Sequence, residues 1–192
     1  MKFVQKEFSS TFEEKKSKFI AHLMPFEMFD EVMNRLRKEH PKARHFVYAY
    51  RYLNEFEQIV ENSSDDSEPK GTSGKPSLAV LSGAEIINSA VIIVRYFGGI
   101  KLGTGGLVRA YGDSVNEVIK IAEFKEYQKL ITKTLVCDYA ELSQLEYLLN
   151  QENINIKSKE FSTQINLTIE LTKQQFEALE MKLSRNIKIR EC

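Results

Sequence analysis

The stretch VIIVRYFGGIKLGTGGLVRAY, from Val91 to Tyr111, contains five of the nine glycines of this 192-residue chain. An apolar, β-branched run precedes the glycines and an amphipathic pattern follows them. This order predicts a buried strand, a glycine-rich turn and a helix N-terminus, which together present unpaired backbone N–H groups. The charged residues of the stretch are all cations, namely Arg95, Lys101 and Arg109. The stretch therefore indicates either a site for a phosphate-like or carboxylate group or packing that needs bare backbone.

The anion-site hypothesis gives the charged residues and the glycines of this stretch separate roles. Arg95, Lys101 and Arg109 would converge on one anion, since arginine suits bidentate phosphate contacts and Arg109 would project back toward the helix N-terminus. Thr104 is expected near the helix N-cap. The backbone donors would come from the glycines of the turn: Gly98, Gly99, Gly103, Gly105 and Gly106.

Neither common phosphate-binding motif is present in the glycine-rich stretch. Thr104 stands where the P-loop pattern requires lysine, and Val108 occupies the third glycine position of the dinucleotide pattern. The alternative hypothesis is that the glycines only permit close packing and the three cations pair with acidic residues upstream. Those acidic residues are Asp65, Asp66 and Glu68.

The acidic residues belong to a long polar segment over residues 62–75, which also includes Thr72 and leads into a predicted helix. A loop of this length in a compact region is usually functional or disordered. Its carboxylates could bind a hard cation, pair with the cations of the glycine-rich stretch, or simply be solvated. Because the regular spacing of a calcium loop is absent, we expect no metal, and we favour a pocket where the two segments meet.

His45 is the weak candidate for catalysis. With Ser73 or Thr72 as nucleophile and an aspartate as orienting group, His45 would complete a hydrolytic triad. No nucleophile elbow accompanies these residues, and a single histidine beside Arg44 is more often structural. A small-molecule or peptide hydrolase is therefore kept as an alternative function.

Net charge, the absence of long apolar runs and the two cysteines narrow the classes of protein to which this chain could belong. Equal numbers of acidic and basic residues give a formal net charge of zero, so any nucleic-acid or anion site must be local. No apolar run has membrane-spanning length and the N-terminus has no leader pattern, which predicts a cytoplasmic protein without a membrane partner. Cys137 and Cys192 lie far apart without metal-ligand spacing, so we expect neither a disulfide framework nor a cofactor.

Hydrophobic periodicity divides the chain into two α+β domains, over residues 1–128 and 129–192. In the first, it predicts strands over 1–24, 46–50, 56–60 and 89–97 and helices over 27–40, 76–87 and 105–124. In the second, it predicts strands over 131–139, 154–161, 164–171 and 187–190 and helices over 140–153 and 172–186. The βαββαβ order of the second domain is that of the ferredoxin-like fold.

Four blocks of the sequence, in order, resemble the YigZ/IMPACT family. They are KSKFIA (residues 16–21), ARHFVYAY (43–50), SDDSEPKGTSGKP (64–76) and RYFGGIKLGTGGLVRAYG (95–112). The second domain, with VCDY at 136–139, resembles the small C-terminal domain of bacterial members. Two positions depart from the family pattern, because Ser67 stands where glycine is usual and Ser73 where alanine is usual.

The resemblance implies a fold and an association with translation rather than a particular reaction. It implies a first domain of the βαβ type shared with a small-subunit ribosomal protein and the fourth domain of elongation factor G. It also implies a second domain like the fifth domain of that factor. Those relatives touch RNA, and eukaryotic members regulate translation through a further partner-binding domain. Some bacterial members carry a proline-dipeptidase label, but this sequence shows no metal-ligand pattern that would support that activity.

We therefore expect a translation-associated regulatory protein that binds RNA or the ribosome through its basic, glycine-rich surface, and we favour a non-enzymatic role. Asp65, Asp66, Glu68 and Thr72 would order or gate the facing loop. The hydrolase remains one alternative. The other is a protein–protein regulator, with a partner in translation control, in which the glycine-rich motif is purely structural.

Overall fold

The structure, a computed structural model, describes residues 1–191, so Cys192 lies outside the described residues. It separates into two compact units, Met1–Tyr127 and the unit that begins at Gln128. Both are α+β, as the sequence pattern predicts. Among residues 1–191, no helix is both long and apolar enough to span a lipid bilayer.

The first unit is built on a five-stranded antiparallel sheet of order β2-β3-β6-β4-β5, beside a two-stranded pair of β1 and β7. A 3₁₀ turn over Phe26–Met28 precedes α1. The elements, in chain order, are β1 (Lys2–Val4), β2 (Phe8–Glu14), β3 (Ser17–Pro25), α1 (Phe29–Glu39), β4 (His45–Leu53), β5 (Ile59–Ser64), α2 (Gly74–Gly83), β6 (Ser89–Tyr96), α3 (Gly103–Ile121) and β7 (Phe124–Glu126).

Helices cover both faces of this sheet because successive side chains of a strand point to opposite sides. Val91 and Ile93 of β6 pack in one core with residues of α2 and α3. Ile92 and Val94 pack in a second core with residues of α1. A strand that is buried on both faces has no room for polar alternation, and this explains the continuous apolar run of β6.

The long helix α3 carries the apolar stripe that the sequence predicts. Leu107, Tyr111, Val115 and Val118 are buried at spacings of three and four residues, which place them on one side of a helix. The first turn of α3 holds three glycines and Thr104, and it lies at the same end of the sheet as the start of β4. The fold thus brings the glycine-rich turn next to His45.

The second unit has the order βαββαβ: β8 (Leu130–Cys137), α4 (Leu142–Gln151), β9 (Asn155–Phe161), β10 (Ile165–Thr172), α5 (Lys173–Glu180) and β11 (Lys188–Glu191). Its sheet is antiparallel with order β11-β8-β10-β9, the ferredoxin-like arrangement expected from the sequence. Alternate residues of β10, from Ile165 to Leu171, are buried in its core. Thr172 and Gln175 form a capping box that starts α5.

Several predicted boundaries are wrong, and three of them concern the glycine-rich stretch and the polar loop. Helix α3 begins at Gly103, with Leu102 as its N-cap, so Thr104 lies inside the first turn rather than at the cap. The turn between β4 and β5 forms at Asn54, whose side-chain oxygen accepts hydrogen bonds from Phe56 and Gln58, and this shifts β5 to Ile59–Ser64. The polar loop is consequently shorter than expected and covers residues 65–73.

Candidate functional site

A cavity of about 410 Å³ lies where the polar loop of residues 65–73, called the acidic loop from here on, meets the start of α3. Its volume falls in the range of about 300–1,000 Å³ that is usual for small-molecule sites. The wall combines apolar and charged side chains. It is lined by Arg44, His45, Glu68, Pro69, Arg95, Phe97, Lys101, Leu102, Gly103, Thr104 and Leu107.

The charged floor of the cavity is an ion pair between Glu68 and Arg95. Their side chains are only 4% and 6% exposed, and Arg95 Nη1 donates to Glu68 Oε1. The Tyr111 hydroxyl donates to the same oxygen at 2.9 Å. Burial, followed by the negative charge of Glu68, raises the pKa of Tyr111 well above its usual value, so this residue remains a hydrogen-bond donor. Removing either charge would leave the other buried and unpaired.

Strand alternation explains why Arg95 lies in the floor. It follows Val91 and Ile93 on the α3 face of β6, and its guanidinium lies 5.4 Å from the ring centre of Phe19. His45 is directly opposite Arg95 in the register of β4 and β6, so both side chains belong to the same face. The sheet thus holds two of the polar residues of the cavity side by side.

Asp65 holds the acidic loop in place. Its carboxylate accepts hydrogen bonds from the backbone N–H groups of Gly71, Ser73 and Gly74 at 2.7, 3.1 and 2.8 Å, and from the Ser73 hydroxyl at 2.7 Å. Burial acts to raise the pKa of Asp65, but these four hydrogen bonds outweigh it and hold the pKa below its usual value. The carboxylate therefore orders the loop as an anion.

Asp66 connects the acidic loop to β4. Its carboxylate accepts from the Phe46 backbone N–H at 2.6 Å, and its carbonyl oxygen lies 2.9 Å from His45 Nδ1. A carbonyl oxygen only accepts, so Nδ1 of His45 carries a proton. The other ring nitrogen, Nε2, lies 3.8 Å from Glu68 Oε1.

The backbone strain of the acidic loop falls at a position where this chain departs from the pattern of the family that it resembles. Ser67 has φ +70° and Asp66 has φ +40°, in the left-handed region that glycine adopts without steric cost.

Ser67→Gly should therefore raise the free energy of unfolding by about 0.5–1 kcal/mol. Thermal unfolding would measure this, with exposed Ser82→Gly, in the last turn of α2, as the control that should lower stability. A lower stability for Ser67→Gly would contradict the strain argument.

The structure separates the three cations that the anion hypothesis joins. Arg95 and Lys101 line the same cavity, but Arg95 is buried in its ion pair while Lys101 is exposed. Arg109 lies beside a smaller cavity of about 130 Å³ together with Glu14 and Asp113. Arg44, which the sequence analysis did not select for the site, is exposed on the wall of the larger cavity.

Three glycines of the turn are required by the backbone. A Cβ atom at Gly98 would lie 2.0 Å from the backbone carbon of Lys16, so no larger residue fits there. Gly99 and Gly103 have φ +86° and +72°, which other residues rarely adopt. Gly105, by contrast, has open space around the position of a Cβ atom. Packing alone therefore accounts for some of these glycines but not for Gly105.

The candidate nucleophiles are engaged inside the acidic loop. Ser73 is fully buried and donates its hydroxyl to Asp65, and Thr72 donates to the carbonyl oxygen of Pro69 at 2.6 Å. Neither hydroxyl belongs to the wall of the cavity that His45 lines. Among the described residues, the structure also forms no cluster of three or more side chains suited to a metal ion. His45 is thus placed at the cavity without a nucleophile from the loop beside it.

Comparison with known proteins identifies the family. The Impact N-terminal domain matches residues 15–119, and a Domain of unknown function (DUF1949) matches residues 135–186. An IMPACT family member of Haemophilus influenzae is 36% identical over 88% of this chain and 84% of its own. The IMPACT family member YigZ of Escherichia coli is 38% identical over 82% of this chain and 78% of its own. The chain belongs to the IMPACT family.

A solved structure matches this chain over its whole length. It is described as the crystal structure of a hypothetical protein, and it is 33% identical to this chain. The match covers 100% of this chain and 96% of the other, with a TM-score of 0.67. The two-domain α+β architecture is therefore shared with a related protein.

Proposed function

We propose that this protein binds RNA, free or within the ribosome, as a regulator of translation. The surface that would do so consists of exposed Arg44, Lys101 and Arg109 with the first turn of α3, and we refer to it as the cationic surface. Phosphate contacts fix a protein on a nucleic acid without reading sequence, and cations and helix N-termini are suited to make them.

The observation that carries this proposal is the buried pair of Glu68 and Arg95. Because Arg95 neutralises the carboxylate of Glu68, that acidic side chain does not oppose an anion at the cavity. Lys101 and Arg44 then add positive charge at the exposed part of the wall, on a chain whose formal net charge is zero. A local excess of positive charge is what a phosphate backbone requires from a protein that is not basic overall.

The start of α3 adds backbone donors to the cationic surface. The N–H groups of an N-cap residue and of the three residues after it have no acceptor within the helix, and in α3 they belong to Leu102, Gly103, Thr104 and Gly105. The space around Gly105 would let a phosphate oxygen approach these groups closely. The positive end of the helix dipole favours an anion there as well.

RNA binding is tested with a labelled, mixed-sequence single-stranded RNA whose affinity is followed by fluorescence anisotropy across a salt series. Affinity should fall steeply between about 50 and 200 mM salt, because phosphate contacts release counterions. The Arg44→Ala/Lys101→Ala/Arg109→Ala variant should weaken binding and reduce the slope of log affinity against log salt by about 2, at about 0.7 per contact.

The matched control for this experiment removes three exposed lysines away from the cationic surface. Lys38 lies on α1, Lys120 in the last turn of α3 and Lys125 on β7. Lys38→Ala/Lys120→Ala/Lys125→Ala changes the net charge by the same amount and should leave a steeper salt dependence than the cationic-surface variant. Equal losses in the two variants would assign binding to overall charge, and no RNA binding by the wild type would overturn the proposal.

A further inference from the structure

A second cavity, of about 350 Å³, lies at the opposite end of β4 from the cavity at the acidic loop. Tyr52 and Leu53, the last two residues of β4, line the second cavity, whereas His45, the first residue of β4, lines the other. At about 3.3 Å per residue, a strand of this length separates the two cavities far enough for each to hold its own ligand. The second cavity is called the aromatic cavity from here on.

Stacked rings form one wall of the aromatic cavity. The rings of Phe26 and Tyr52 have centres 4.1 Å apart and an angle of 9° between their planes. The Tyr50 ring packs against Phe26 at 4.9 Å and supports the stacked pair from the neighbouring position on the same face of β4. Phe3 and Pro25 add further apolar surface to the lining. The wall therefore suits an apolar, ring-shaped group.

Asn88 supplies the aromatic cavity with a defined hydrogen-bond donor. Its Oδ1 atom accepts the backbone N–H of Leu53 at 2.9 Å, so the other atom of the amide, Nδ2, is the donor. Nδ2 has no hydrogen-bond partner within residues 1–191, and it is not buried. The backbone of Asn88 also accepts the N–H of Phe26 at 3.0 Å, which fixes the residue between β4 and the 3₁₀ turn. A ligand with a carbonyl oxygen would fit this donor.

Exposed carboxylates surround the aromatic cavity. Glu27 is exposed and lines it. Asp30 is exposed and follows Phe26 by four residues, a helical spacing that places both on the same side. Glu55 is exposed in the turn that follows Leu53. The rim of the cavity is therefore negatively charged.

The cations closest in sequence to the cavity lining do not offset this charge. Lys6 forms an ion pair with Glu123 at 3.0 Å. Lys2 lies 4.5 Å from the centre of the Phe124 ring. Both lysines thus have partners on the segment around β7, and the rim favours a cation on the ligand.

From these features we infer that the aromatic cavity binds a proline-rich segment of a partner protein, with arginine or lysine next to the prolines. Such a segment adopts the polyproline II conformation, which has no internal hydrogen bonds, so its carbonyl oxygens are free to accept from Asn88. Grooves lined by aromatic side chains bind this conformation. The pyrrolidine rings would pack on Phe26 and Tyr52, and the neighbouring cation would face Glu27.

Other occupants fit the aromatic cavity less well. One turn of polyproline II is about 9 Å long, which suits a cavity of this size. An amphipathic helix would need a longer groove for anchors at the first, fourth, fifth and eighth positions. A nucleic acid would bring its phosphates against the carboxylates of Glu27 and Asp30. The charge of the rim is opposite to that of the cationic surface, so the inference does not rest on the proposed RNA function.

The test measures binding of the full chain to three labelled peptides by fluorescence anisotropy. The first has two arginines followed by seven prolines, the second has alanine in place of every proline, and the third has glutamate in place of both arginines. The first peptide should bind about tenfold more tightly than the second, because its conformation is already ordered before binding. It should bind about fivefold more tightly than the third, since only its cations complement the rim.

Two variants assign the binding to the aromatic cavity. Glu27→Lys should weaken binding of the arginine–proline peptide about fivefold, whereas Glu13→Lys, the same charge change on the exposed side of β2, should not. Tyr52→Ala should weaken binding about tenfold through the lost ring contact. Its control is Tyr147→Ala, which removes a 64% exposed tyrosine from α4.

The outcomes separate this inference from the RNA proposal. Equal affinity for the proline and alanine peptides would overturn the inference, and so would peptide binding that Glu27→Lys leaves unchanged. Because Glu27 is exposed, this variant gives a result even where Tyr52→Ala unfolds the first unit. Displacement of the peptide by single-stranded RNA would assign the cavity to RNA and overturn the inference. The Arg44→Ala/Lys101→Ala/Arg109→Ala variant should bind the peptide as the wild type does, whatever its affinity for RNA.

Discussion

Gly98→Ala is expected to destabilise the first unit by about 3 kcal/mol or more, at the upper end of the cost of overpacking. The added methyl group would lie 2.0 Å from a backbone carbon of Lys16 and 2.3 Å from the backbone nitrogen of Ser17. Backbone atoms cannot move aside as a flexible side chain can. The Gly98 N–H also donates to the Ser17 hydroxyl at 3.2 Å, so a shift of this segment would weaken a second contact.

Differential scanning calorimetry would measure this loss as a fall in melting temperature of about 10 °C for the first unit. The second unit has its own core, and its transition serves as an internal reference. Gly105→Ala is the matched control, because its methyl group meets open space and alanine favours the helix over glycine by up to about 1 kcal/mol. An unchanged melting temperature for Gly98→Ala would contradict the close approach to the turn between β2 and β3.

Glu68→Ala is the second substitution with a large expected effect, about 3–5 kcal/mol of lost stability. It would leave the guanidinium of Arg95 buried without its carboxylate and would remove the acceptor of the Tyr111 hydroxyl. Arg95→Ala should be similarly costly because Glu68 would then be the unpaired buried charge. The double variant should cost less than the sum of the two, since no unpaired charge remains in it.

The same calorimetric measurement checks this coupling. Glu117→Ala is the control, because its ion pair with Lys120 is exposed and such pairs contribute about 0–1 kcal/mol. Additive losses in the double variant would mean that Glu68 and Arg95 stabilise the fold independently. Losses no larger than that of Glu117→Ala would contradict the buried pair itself.

Elements with a strong period were predictable from the sequence. The apolar run of β6 and the stripe from Leu107 to Val118 predict a buried strand and a core-facing helix, and both are present. The alternation of β10 likewise predicts a strand with one buried face, and the order of elements after residue 130 predicts the ferredoxin-like sheet. Each of these patterns lies within one short segment of sequence, and the side chains that it predicts to be buried are buried in the fold.

The arrangement of the site depended on contacts between distant residues. Glu68 and Arg95 are 27 positions apart, and their pairing was only one of the alternatives that the charges allowed. The alternation from Val91 through Ile93 already places Arg95 on the α3 face, so the strand pattern contained a signal for its burial. Nothing local indicated that Arg44 and Phe97 would line the same cavity, because that depends on the register of β4 against β6.

The hydrogen bonds of Asp65 determine when the acidic loop loses its conformational freedom. Three backbone N–H groups and one hydroxyl are fixed by a single carboxylate within the free protein, so the entropy of ordering this segment is lost during folding. A ligand that enters the cavity would meet walls already in position, and its binding free energy would not be reduced by ordering the loop. For such a ligand the loop would be a rigid wall of the cavity rather than a lid.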